Sequence, residues 1–157
     1  MSGSIEQGTS QTHGNTHILH FLVRVPRSME DVWSAVATPE GLGGWCTAAD
    51  VLEPRLDGAV TLRGLGSGHV TAWDVDRMAE YTLGAGGRLR FHLERDGDRG
   101  CALRFTHEFQ GDEEGDAESE RSWRPRFERL IELLGASQGR PGPEPEPPAD
   151  PLPGQFT

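Results

Sequence analysis

A chain of 157 residues is long enough for one domain with a single core, but a hydrophobic share of 34% leaves part of it outside that core. The net charge of −10, without a basic stripe, excludes a nucleic-acid binder. No apolar run approaches the ~18 residues of a membrane span, and the N-terminus lacks a basic-plus-apolar signal, so a soluble cytoplasmic protein with no membrane partner is expected.

Residues 1–16 are mostly Ser, Gly, Thr, Gln and His with Ile5 as the apolar exception, and read as a disordered N-terminal arm. In His17–Val25, Leu19, Phe21, Val23 and Val25 alternate with His20, Leu22 and Arg24, which predicts a strand with its odd-numbered face in the core. Pro26 ends it. Ser28 with Asp31 three residues on resembles a capping box, and Met29, Val32, Trp33 and Val36 then share one helical face. Pro39 stops that helix and opens a second, very short one around Glu40–Leu42, which Gly43-Gly44 breaks before Trp45.

From Ala49 to Gln110 the signals are strands and turns: Ala49–Glu53, Ala59–Arg63, His69–Val75, Met78–Leu83, Arg88–Arg95 and Gly100–Gln110. Gly64–Gly68 reads as a glycine-rich connection, and without a lysine or a strand-to-helix context it is not a phosphate loop. With the first strand this makes seven, antiparallel because the connections are short. In the last of them Cys101, Leu103, Phe105, His107 and Phe109 oppose Ala102, Arg104, Thr106 and Glu108, the pattern of a sheet covered on one face and wet on the other.

The cover is a final helix whose Trp123, Phe127, Leu130, Ile131 and Leu134 form a stripe. Pro125 either lies in its first turn behind Ser122 or kinks a longer helix, and the longer, kinked helix is expected. Six acids in 112–120 read as a solvated charge run in a loop, and residues 136–157, with PGPEPEPPADPLPG, as a disordered tail. With these removed the body is close to neutral. All 15 basic residues are arginine, a mark of a GC-rich bacterial genome, and Cys46 and Cys101, lacking metal spacing, are expected to be reduced.

The stretch PRSMEDVWSAVATPEGLGGW, followed by DGAVTL, SGHVTAWDVDR and SWRPRFERLIELL, resembles the SRPBCC (START-like) superfamily. Within it, the likeness is to the branch related to the activator of the heat-shock-protein-90 ATPase. It is carried by Pro26, Val32, Trp33, Pro39, Trp45, Gly58, Gly68, Val70, Trp73, Trp123 and Pro125, over residues 17–135. Cys46, Asp57 and Val75-Asp76 depart from the usual pattern. The resemblance implies an α+β helix-grip fold: a curved seven-stranded antiparallel sheet wrapping a long C-terminal helix, with two short helices after the first strand. A cavity between sheet and helix would take an apolar or amphipathic small molecule.

The ligand-lining candidates are Trp45, Trp73, Phe91, Leu103, Phe105, His107, Trp123, Phe127 and Leu130. Trp73 is ambiguous, because Val70 and Ala72 belong to the opposite face of a regular strand. His107, inward between two phenylalanines, is either a proton shuttle in a cyclase- or dehydratase-like enzyme or a core histidine bonded within the fold. Asp50, Glu53, Asp74 and Glu80 are the acids nearest the barrel mouth. No histidine pair has ligand spacing, so no metal and no cofactor is expected. Beside a small-molecule ligand, the candidate partners are a chaperone and a second copy of the chain.

Overall fold

Strands drawn from residues 4 to 110 build one antiparallel sheet, and the stripe after residue 122 supplies its cover. A computed structural model describes residues 4–84, 87–98, 100–111 and 113–139. The elements are β1 (Ser4–His13), β2 (Thr16–Val25), α1 (Met29–Ala37), α2 (Pro39–Trp45), β3 (Ala49–Leu52), β4 (Ala59–Leu62), β5 (Gly66–Asp74), β6 (Met78–Thr82), β7 (Arg88–Asp96), β8 (Gly100–Gln110) and α3 (Glu113–Gly139). The strands lie in the order β1-β2-β8-β7-β6-β5-β4-β3.

Three expectations are corrected. Residues 4–13 are not a disordered arm: they form β1, paired with β2 from Ser4↔Arg24 to His13↔Thr16, so the sheet has eight strands and not seven. This strand is held by backbone pairing to β2, with Ile5 packed against the core, and its polar composition hides it. The acidic run is not a loop either. The helix begins at Glu113, and acids suit the positive end of a helix dipole. Gly66–Gly68, taken as part of a connection, belong to β5. The helix is the long version with Pro125 inside it, and it runs to Gly139; the remainder of the expected tail, residues 140–157, lies outside the described residues.

The two short helices are joined by one side chain. The Thr38 hydroxyl donates to Ser34 O at 2.6 Å and accepts from Gly41 N at 2.9 Å, ending α1 and capping α2, with Pro39 in the first turn of α2. Position 41 has to be glycine, because a Cβ there would lie 2.0 Å from Ser34 O. The last carbonyls of α1, which have no partner within the helix, are met by buried aromatics. Trp45 Nε1 donates to Ala35 O at 2.8 Å and the Tyr81 hydroxyl to Val36 O at 2.8 Å. At the other end, the Ser28 hydroxyl accepts from Asp31 N at 3.1 Å, as the capping pattern predicts.

A register shift in β5 between Val70 and Ala72 resolves the ambiguity of Trp73. It lets Val70, opposite Tyr81, and Trp73, opposite Ala79, both face the core. Trp73 meets Trp33 of α1 edge-on, with ring centroids 5.0 Å apart.

Candidate functional site

The apolar side chains expected to line a ligand space come together between sheet and α3, in one core cluster with Trp73 at its margin. Trp45, Phe91, Leu103, Phe105, Trp123, Phe127 and Leu130 are each no more than 2% exposed. Phe127 is the hub, its ring centroid 5.2 Å from Phe21, 5.0 Å from Phe105, 5.5 Å from Trp45 and 5.8 Å from Trp123. Rings at these separations are in packing contact.

His107 is held inside this packing. The Trp123 indole N–H donates to its Nδ1 at 3.1 Å, and its ring lies 4.6 Å from that of Phe109. An imidazole nitrogen that accepts carries no proton, so Nε2 bears the hydrogen of a neutral ring. His107 therefore works as the acceptor that seats Trp123, and α3 with it, on β8. His17, also buried, is bound twice: Thr12 Oγ1 is 3.1 Å from Nδ1, and Nε2 is 2.7 Å from the Gly111 carbonyl. An Nε2–H donor to that carbonyl leaves Nδ1 to accept from the threonine. This ties β1 to the start of α3.

Open volume is found at the end of the sheet where β2 begins, β6 and β8 finish and β7 starts. There a cleft of about 410 Å³ is lined by Thr16, Thr82, Gly84, Gly87, Arg88, Glu108, Phe109 and Gln110. Gly87 has φ +84°, and a Cβ there would meet Glu108 O at 2.2 Å, so only glycine keeps this wall against β8. Thr82, Arg88 and Glu108 stand in one row across β6, β7 and β8, each opposite the next. Arg88 Nη2 donates to Glu108, which raises the guanidinium further above its ordinary range.

Behind the row sits a buried carboxylate. The Glu80 side chain is 7% exposed although it belongs to the outward face. Its Oε2 accepts from Arg90 Nε at 2.8 Å and its Oε1 from the Thr71 hydroxyl at 2.7 Å; Thr71 Oγ1 is in turn 2.9 Å from Thr82 Oγ1. A chain of two hydroxyls thus runs from Glu80 into the cleft. The other acids weighed from the sequence lie apart from it. Asp50 pairs with Arg63 at 2.6 Å, Glu53 accepts from Ala59 N at 2.7 Å, and the Asp74 carbonyl closes the turn to Arg77.

Sequence reasoning missed Thr16, Thr82, Arg88, Glu108 and Gln110 because each reads as an ordinary outward residue of a half-wet sheet. Burial pushes the Cys46 thiol up to about 12, against the lowering effect of Arg126, and the Cys101 thiol to about 11, so neither is a nucleophile near neutrality. Among the described residues, no three His, Cys, Asp or Glu side chains group closely enough to hold a metal ion, and no helix is long and apolar enough to cross a membrane.

The fold is shared with solved structures. CalU16 from Micromonospora echinospora is 20% identical with a TM-score of 0.66, over 86% of this chain and 92% of that one. The Aha1 dimer from Colwellia psychrerythraea is 18% identical with a TM-score of 0.66, over 78% and 98%. DynU16, of the dynemicin biosynthetic locus, is 17% identical with a TM-score of 0.62, over 76% of this chain and 48% of its own. No protein-family model and no curated sequence matches the chain. The fold is the helix grip that these structures share.

Proposed function

We propose that the chain is a small-molecule-binding protein of the SRPBCC superfamily, in the branch related to the activator of the heat-shock-protein-90 ATPase, and that it takes an amphipathic ligand at the end cleft. The observation that carries this reading is the cleft itself. About 410 Å³ falls within the range of small-molecule pockets, roughly 300–1,000 Å³, and its lining joins polar side chains to the edge of the aromatic core through Phe109. The likeness to CalU16 and DynU16 supports a helix grip but names no ligand. Phe109, whose ring lies 4.6 Å from that of His107, connects the cleft to the packed aromatic residues.

The enzyme reading built on His107 is the weaker one, because the lone pair that general-base chemistry needs at Nδ1 is already taken by Trp123. The chaperone and the second copy as partners rest on the resemblance and on the likeness to the Aha1 dimer. Thermal-shift titration against a panel of lipids and polyketides tests the main reading. A bound ligand raises Tm progressively with its concentration, and a panel with no such member counts against ligand binding.

A further inference from the structure

The direction of the hydroxyl chain decides what the cleft can recognise. A carboxylate only accepts, so the proton of the Thr71 hydroxyl, 2.7 Å from Glu80 Oε1, points at Glu80. Thr71 then has only lone pairs to offer Thr82, 2.9 Å away, which makes Thr82 the donor of that bond. The single proton of Thr82 is turned away from the cleft, and its remaining lone pair is what a ligand meets. Directly opposite stands Arg88, which has N–H donors and no acceptor, one of them committed to Glu108. Opposite residues on neighbouring strands have their Cβ atoms about 5 Å apart, a span that one small polar group can bridge.

We propose that the end cleft selects a neutral ligand whose polar group both donates and accepts, a hydroxyl or a primary amide, over a carboxylate of the same shape. This rests on the ligand-binding reading above. An amide places its carbonyl on Arg88 and its N–H on Thr82. A carboxylate satisfies Arg88 but sets an oxygen against the Thr82 lone pairs, and it approaches a row whose cation is already neutralised by Glu108. Phe109 receives the apolar body.

The test uses naphthalene-2-carboxamide, naphthalene-2-carboxylate and methyl naphthalene-2-carboxylate, titrated into the full chain and followed through the amide resonances of Thr82, Arg88 and Phe109. The carboxamide should bind about tenfold more tightly than the carboxylate, the scale of one mismatched polar contact, and it should also bind more tightly than the ester, which accepts without donating. Thr71→Val, at an exposed strand position where a β-branched residue is tolerated, frees the Thr82 proton and should bring the three probes within about threefold. Thr71→Ser keeps the chain of hydroxyls and should keep the preference. Equal binding of all three probes to the parent chain, or an undiminished preference in Thr71→Val, overturns the selectivity while leaving ligand binding intact. Perturbations confined to the Trp45–Phe127 core, or none with any probe, overturn the cleft as the site and the functional reading with it.

Discussion

Strands β6, β7 and β8 present two faces made from alternate residues of the same sequence, and the two treat polar groups in opposite ways. Inward, His107 is the polar residue of β8, and the Trp123 indole holds it among Phe105, Phe109 and Trp123. Outward, Arg88 pairs with Glu108, Arg90 with Glu80 and Thr82 with Thr71 of β5, and Thr82, Arg88 and Glu108 border open volume. A buried polar atom costs stability unless it is paired, so the inward face uses its one imidazole to position a helix. The outward face, with water available, can leave a donor and an acceptor ready for a ligand. Burial alone would have pointed to His107; bond direction points to Thr82 and Arg88.

The inward face should break hardest at its hub. Phe127→Ala removes the ring shared by Phe21, Trp45, Phe105 and Trp123 and should cost about 3–5 kcal/mol in urea unfolding. A loss below about 1 kcal/mol would mean that the interior is not packed around it. Trp123→Phe keeps most of the ring but removes the donor to His107 Nδ1, for an expected loss of about 1–3 kcal/mol. Adding His107→Leu should recover part of that loss, and strict additivity in the double-mutant cycle would deny the coupling.

A smaller effect comes from pH. The folded thiols of Cys46 and Cys101 keep their protons above the ordinary value of 9.0, up to about 12 and about 11. Between 9.0 and those values the unfolded chain binds fewer protons than the folded one. Stability is therefore whole below about pH 9 and falls as the pH rises beyond it. Comparing Tm at pH 8 and pH 9.5, below the range where the buried Tyr81 hydroxyl adds to it, should show this drop, and replacing both cysteines by alanine should remove most of it. The outward face should yield least: Arg104→Met breaks an exposed pair with Glu94 and should shift stability by less than about 1 kcal/mol. A larger shift would erase the contrast between the faces.

The strands from β2 to β8 were legible because burial on one face imposes a period of two, and the Trp123–Leu134 stripe because packing on a sheet imposes a period near four. What escaped is what those periods do not encode. β1 is written in Ser, Gln and Thr, so it looks like a solvated arm until the edge of β2 is seen to pair with it. The shift between Val70 and Ala72 adds a residue to the alternation, and no local signal in HVTAW says which face Trp73 will take. Tyr81 reads as one more strand residue, yet it closes the end of α1 across the core. The cleft depends on which outward residues fall opposite one another. Thr82, Arg88 and Glu108 are far apart in the chain, and register alone makes them a row.

The shifted register of β5 also gives the molecule an optical label. By turning Trp73 inward it sets that indole 5.0 Å from Trp33 at an interplanar angle of 66°. Two identical chromophores that close, and neither parallel nor perpendicular, couple their transitions and give a paired positive and negative band in circular dichroism. Tryptophan emission is collected from all four indoles, Trp45 and Trp123, packed on Phe127, among them. A single unmodified sample thus carries two optical readouts, the couplet for the seam between α1 and β5 and the emission for the core as a whole. Whether the two melt together on heating tells whether that seam unfolds with the rest of the core.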